Sequence, residues 1–165
     1  MAVFYFDTSA IVKRYRREKG TELADDLMDN PREADRFYTS LLSPLEVTSA
    51  VTRLSNAGEI TEKTVSEVLA RFHTEIRERF RIWPIEEEII AAAILLVRQQ
   101  GIRSADAIHL ATAVTISSLS QGSPTVFLSS DRKLIHAAKE KGLATIDPSE
   151  QNALERLAEL RRSDR

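Results

Sequence analysis

Asp7, Glu46, Asp106 and Asp131 are the side chains of this sequence best placed to do chemistry. Asp7 ends the apolar run 2–6, and Asp131 follows the run 126–128. Glu46 and Asp106 lie in the first turns of helical stretches that begin near Pro44 and Ser104. In an open parallel sheet, residues at such junctions converge on the crevice beyond the carboxyl ends of the strands. Four acids in one crevice repel each other unless a cation lies among them. Mg2+ and Mn2+ prefer oxygen ligands in octahedral geometry, so carboxylates are the expected lining. Such an ion lowers the pKa of a water, orients it and shields charge building up on a phosphate. The expected chemistry is metal-assisted attack of water on a phosphate ester.

Other side chains would support these acids. Ser9 and Ser129, two residues from Asp7 and Asp131, and Thr8 beside them could hydrogen-bond the carboxylates and fix their orientation. His109 lies three residues after Asp106 and shares its helix face, where it is expected to pack or hydrogen-bond beneath the site. Each acid also has a structural alternative. Ser43-x-x-Glu46, with Pro44 between, matches a capping box in which Glu46 reaches back to the Ser43 amide. Asp106 suits the dipole of a first helical turn, Asp131 could cap a helix, and Asp7 could close an Asx-type turn.

The elements that position these residues alternate along the chain. Strands are expected at 2–6, 37–40, 82–85, 125–128 and 144–146, with Pro84 at the end or edge of its strand. Helices are expected after Thr8-Ser9 (inner face Ala10, Ile11, Val12, Tyr15), around Leu23, Leu27 and Met28, and from Pro44 to Asn56. Others follow Thr61 (Val65 to Phe80 at spacings of three and four) and span 86–99, 104–119 and 131–141. Strands alternating with helices predict an α/β fold, a three-layer α/β/α sandwich around a mainly parallel sheet. A domain is expected over 1–147, with 148–165 as a helical tail packed on or extending it.

Bulk properties narrow the class. With 165 residues, the chain can bury roughly 70% of its unfolded surface as one domain. Hydrophobic content of 42% and charged content of 29% are those of a soluble globular protein. There is no cysteine, which excludes disulfides and thiolate zinc sites. No leader pattern and no membrane-length apolar stretch are visible, so a cytoplasmic protein without membrane contact is expected. The net charge of −2 gives no global attraction to nucleic acid. Basic residues are nonetheless clustered, and Lys13, Arg14 and Arg17 are candidates for steering a polyanion toward the acids, against the alternative of a solvated helix face.

Four segments together resemble the PIN-domain ribonucleases, and most closely the VapC-like toxins of prokaryotic toxin–antitoxin pairs. They are Val3-Phe-Tyr-Phe-Asp7-Thr-Ser-Ala10, Ser43-Pro-Leu-Glu46-Val47, Arg103-Ser-Ala-Asp106-Ala-Ile-His109-Leu-Ala-Thr-Ala113, and Leu128-Ser-Ser-Asp131-Arg-Lys-Leu134. The resemblance implies an α/β/α sandwich with a Mg2+- or Mn2+-dependent endoribonuclease site formed by Asp7, Glu46, Asp106 and Asp131. It also implies an RNA substrate, a homodimer and inhibition by a cognate antitoxin. Two alternatives stand beside it. One is a binding module that keeps the fold without catalysis. The other is an aspartyl-nucleophile phosphatase of the haloacid dehalogenase type, which Ser9 weakens by standing where that family has a second acid.

Overall fold

The computed structural model describes residues 2–120 and 122–163. Met1, Gln121, Asp164 and Arg165, which the expected spans 1–147 and 148–165 include, lie outside the described residues. The chain alternates in the order β1 (Val3–Phe6), α1 (Thr8–Val12), α2 (Thr21–Asp29), β2 (Arg36–Ser40), α3 (Ser43–Asn56) and α4 (Glu62–Arg79). It continues through β3 (Phe80–Trp83), α5 (Glu87–Gln100), α6 (Ser104–Leu119), β4 (Thr125–Leu128), α7 (Arg132–Glu140), β5 (Ala144–Ile146) and α8 (Ala153–Ser163).

The five strands form one sheet in the order β3-β2-β1-β4-β5. Every pairing is parallel, with Tyr5 level with Tyr38 on one side and Phe127 on the other. All four residues of β1 and of β4 are buried, as expected for parallel strands covered on both faces. Alternation along β1 feeds two cores. Phe4 and Phe6 join Ile11, Leu27, Val47, Phe72 and Leu157, so α1 to α4 and α8 cover one face. Val3 and Tyr5 join Ile89, Leu110, Phe127 and Leu134, so α5 to α7 cover the other. The result is the expected three-layer sandwich, with a sheet that is wholly parallel.

Two boundaries differ from the sequence expectation. Phe80 fits the apolar stripe of α4, yet it begins β3, pairs with Phe37 and packs edge-on against Phe6. The helix passes into the strand without a loop, and Pro84 ends β3 because it has no N–H to give the ladder. The helix after Thr8 is regular only to Val12, and the backbone then turns to bring Lys13 and Arg14 inward.

The strand order sets the position of the site. The chain moves outward from β1 through β2 to β3, then returns to the other side of β1 for β4 and β5. The reversal falls between β1 and β4, and crevices at such reversals bind ligands in open α/β sheets.

Candidate active site

Asp7 follows β1, Asp131 lies beyond the end of β4, Glu46 is in the first turn of α3 after β2, and Asp106 is in the first turn of α6. Asp7, Glu46 and Asp131 therefore sit at the carboxyl end of the sheet, and Asp106 is near enough for the charges of Asp7 and Asp131 to act on it. Asp7 is 5% exposed. Its Oδ2 accepts the Ser9 hydroxyl at 2.7 Å and the Ser129 hydroxyl at 3.0 Å. The Ser130 amide donates to Ser9 Oγ at 2.9 Å, and the Asp131 amide donates to Ser129 Oγ at 3.1 Å. This set of serine contacts joins the ends of β1 and β4 and commits one oxygen of Asp7. Its Oδ1 is left 3.7 Å from His109 Nε2.

Glu46 does not close a capping box. Ser43 is buried and shares a hydrogen bond with Thr39 at 2.5 Å, so its hydroxyl is directed into the sheet. Glu46 Oε2 instead accepts from Thr8 Oγ1 at 2.6 Å and from His109 Nε2 at 2.8 Å. With Nε2 donating, His109 Nδ1 is free to accept the Tyr5 hydroxyl at 2.9 Å. Burial alone would raise the Glu46 pKa, but the hydrogen bonds from His109 and Thr8 outweigh it and hold the carboxyl below its ordinary range. For His109 the signs reverse. Burial disfavours the imidazolium, yet the bond to Glu46 and the charges of Asp7, Glu46 and Asp106 raise its pKa.

Asp131 caps α7, with Oδ1 accepting the Lys133 amide at 2.8 Å and the Leu134 amide at 2.9 Å. The helix-capping alternative is thus correct for one of its two oxygens. Asp106 is half-buried, and among the described residues its carboxylate has no hydrogen-bond partner. Burial raises its pKa first, and the charges of Asp7 and Asp131 raise it further. That coupling places Asp106 electrically between acids from two other segments.

These donors suit a hard divalent cation. Each of the four carboxylates keeps an oxygen without a hydrogen-bond partner among the described residues, and two of the acids raise the pKa of a third. No group of three or more acid or histidine side chains among the described residues is drawn together as a finished chelate. Carboxylates set loosely in this way match Mg2+ or Mn2+, which retain several waters, better than an ion needing a dry cage.

The steering candidates need correction. Arg14 is 7% exposed, and its guanidinium is bonded to Asp29 through both terminal nitrogens at 2.7 Å, to Asp25 at 2.8 Å and to Glu75 at 3.1 Å. Lys13 is also buried, donating to the Lys19 carbonyl at 2.9 Å with Glu18 at 3.6 Å. Both charges are spent inside the fold and are not available to a phosphate. Arg17 alone of the three is exposed, without an ion pair among the described residues. Sequence reasoning also missed Tyr5, Thr39 and Ser130. Their signal was alternation: Tyr5 points to the same face as α6, opposite His109.

The residues 4–140 match the family model described as PIN domain. The chain belongs to the PIN-domain family. A relative, "Ribonuclease VapC35" of Mycobacterium tuberculosis, is 32% identical over 148 residues, covering 90% of this chain and 98% of that protein. "Ribonuclease VapC45" of the same species is 29% identical, covering 90% of this chain and all of that protein. Solved structures agree in fold. PAE2754 from Pyrobaculum aerophilum superposes with a TM-score of 0.61 at 16% identity, covering 95% of this chain and 96% of that one. A toxin–antitoxin complex from Klebsiella pneumoniae gives 0.58 at 18% identity, with 91% and 99% covered. VapBC2 from Rickettsia felis, bound to a DNA fragment from its promoter, gives 0.57 at 13%, with 87% and 96% covered. PIN-domain membership displaces the aspartyl-phosphatase alternative.

Proposed function

We propose that this PIN domain is a Mg2+- or Mn2+-dependent endoribonuclease and the toxin of a toxin–antitoxin pair, acting in the cytoplasm. One observation carries the metal part of the reading. Asp106 is half-buried and has no hydrogen-bond donor among the described residues, and burial with the charges of Asp7 and Asp131 outweighs the opposing charges of His109 and Arg103. The names of the relatives at 29–32% identity support RNA as substrate. The neighbouring toxin–antitoxin complex supports an antitoxin partner. Among the described residues, no helix is long and apolar enough to cross a membrane.

Asp7, Glu46, Asp106 and Asp131 would hold the ion, which lowers the pKa of a water and shields charge on the phosphate. The chain's own groups do the rest. Ser9 and Ser129 fix Asp7 through Oδ2 and leave Oδ1 for the crevice. Thr8 and His109 fix Glu46 in the same way, with Tyr5 behind the imidazole. Such pre-positioning avoids the cost of ordering the acids during reaction. Attack by water does not use the 2′-hydroxyl, so the products should carry a 5′-phosphate and a 3′-hydroxyl.

The test is incubation of the protein with mixed RNA, with and without EDTA, followed by end-group mapping. Cleavage that EDTA stops and Mn2+ restores, with 5′-phosphate ends, supports the reading. Cyclic-phosphate ends, or cutting indifferent to EDTA, would overturn it. Self-association is a further part of the proposal, supported by exposed Ile90, Ile94 and Val97 along α5. Sedimentation at several concentrations reads it, and a monomer throughout would remove it.

A further inference from the structure

A groove of about 770 Å3 runs beside the acids and is lined by none of the four. One wall is a face of α7: Arg132, Ile135, His136 and Lys139 recur at spacings of three and four, so their side chains share one stripe. At 1.5 Å per residue the stripe from Arg132 to Lys139 is about 10 Å long. The opposite wall is the loop from Asp147 to Asn152, and Lys19 closes one side.

The groove is joined to the acid centre through the backbone. Arg132 directly follows Asp131, the end acid of the quartet. The residue before it, Ser130, gives its amide to Ser9 and its hydroxyl to Asp147, whose Oδ1 also accepts the Ser149 amide at 2.8 Å. A strand lying over Asp131 and continuing along α7 would therefore enter this groove without leaving the protein surface. The loop wall is held close. Gly20 has φ 101°, and a Cβ there would meet the Pro148 carbonyl at 2.8 Å, so only glycine lets Lys19 stand beside that loop.

We infer that this groove is the substrate track of the proposed nuclease, holding the RNA strand on one side of the scissile phosphate. The inference rests on the endoribonuclease reading. Lys19, Arg132 and Lys139 are exposed and, among the described residues, have no ion pair, in contrast to Arg14 with its three carboxylates. Three free cations in one groove match successive phosphates. Ile135 between them gives an apolar floor for a base or ribose, and the Gln151 and Asn152 amides across the groove can reach base edges as donors and acceptors. Of the two acids in the lining, Asp147 is already engaged by Ser130 and Ser149, and Glu150 is exposed on the loop. The attraction is therefore local and modest, as the net charge of −2 requires.

The experiment compares the full-length protein with a triple variant, Lys19→Ala, Arg132→Ala and Lys139→Ala, and with Lys141→Ala as a control. Lys141 contacts Gln99 on the α5 side of α7 and removes the same kind of charge from outside the groove. Binding of a labelled single-stranded RNA is titrated from low to high salt in an Asp7→Asn background, so that nothing is cut. Single-strand binding weakens with a slope of about 0.7 per phosphate neutralised, so the triple variant should lose about 2 from the slope of log K against log salt. Lys141→Ala should leave the slope unchanged. With Asp7 intact, the triple variant should lose at least tenfold in kcat/KM on long RNA. Hydrolysis of a small activated phosphodiester should stay within twofold of wild type. An unchanged salt slope, or equal loss on the small diester, overturns the groove. A wild type that binds RNA with the groove-dependent slope yet cuts nothing would instead defeat the nuclease reading and leave the track standing.

Discussion

At Asp106 a half-buried carboxylate faces Asp7 and Asp131 with no hydrogen-bond donor among the described residues, and His109 and Arg103 only partly offset them, so its charge costs the fold stability whenever no cation is bound. Because its pKa is raised in the folded state, the penalty is absent well below the ordinary value of 3.8 and grows as pH rises through the raised one. Asp106→Asn should therefore melt higher than wild type near neutral pH in EDTA, by a few tenths to about 1 kcal/mol. The advantage should vanish at low pH and reverse when Mn2+ is added. Calorimetry with and without Mn2+ reads both effects, and a variant less stable in EDTA would make Asp106 a structural residue. Asp7→Asn is a different case, because Oδ2 accepts two serine hydroxyls that an amide oxygen can still take. Cleavage and Mn2+ binding should be lost there, with stability in EDTA equal to or above wild type. The placement of Asp7, Glu46 and Asp131 just beyond strand ends was legible in the sequence, because strands and helices alternate there. Their partners were not: that Glu46 turns to Thr8 and His109, while Ser43 turns to Thr39, depends on side-chain directions that spacing alone leaves open.

Arg14 works at the scale of elements. It lies just beyond α1 and fastens α2, through Asp25 and Asp29, to α4, through Glu75. Tyr15 adds a hydroxyl to Glu75 at 2.7 Å, and Arg71 adds an ion pair at 3.1 Å. Arg14→Ala should destabilise by about 2–3 kcal/mol, less than the loss of a fully buried pair, since Asp25 and Asp29 keep contact with water. Urea unfolding reads this. Normal stability with weakened RNA binding would return Arg14 to a steering role. The clamp also titrates. Burial opposes ionisation of Glu75, but Arg14, Tyr15 and Arg71 outweigh it and lower its pKa. Its stabilisation is thus present above the ordinary value of 4.5 and lost as pH falls through the lowered one. Wild type should lose melting temperature across that acid range, and Glu75→Gln should start lower and change less. A run of basic residues in sequence does not say which of them the backbone turns inward. Val12 ends the regular helix, and that single turn separates buried Lys13 and Arg14 from exposed Arg17.

At the scale of the molecule, α8 is part of the first core: Ala153 and Leu157 are buried with Phe4 and Leu27, and Arg161 lies over the Phe4 ring and pairs with Asp35. Leu157→Ala should cost about 2–5 kcal/mol, read by denaturant midpoint. A negligible loss would make 153–163 a detachable appendage. Alternation of strands and helices made the layers readable, because parallel strands need helical crossovers. The order of strands was not readable from alternation, because any register of crossovers gives the same pattern along the chain. That order has a consequence for synthesis. β1 leaves the ribosome well before its neighbour β4 and the residue Asp131. A nascent chain with Asp7, Glu46 and Asp106 already exposed still lacks the strand that brings the last carboxylate beside the first. Long-range pairing of this kind forms slowly. If Asp131 is needed for cleavage, a nascent chain that has not yet made β4 should be unable to cut the message that encodes it.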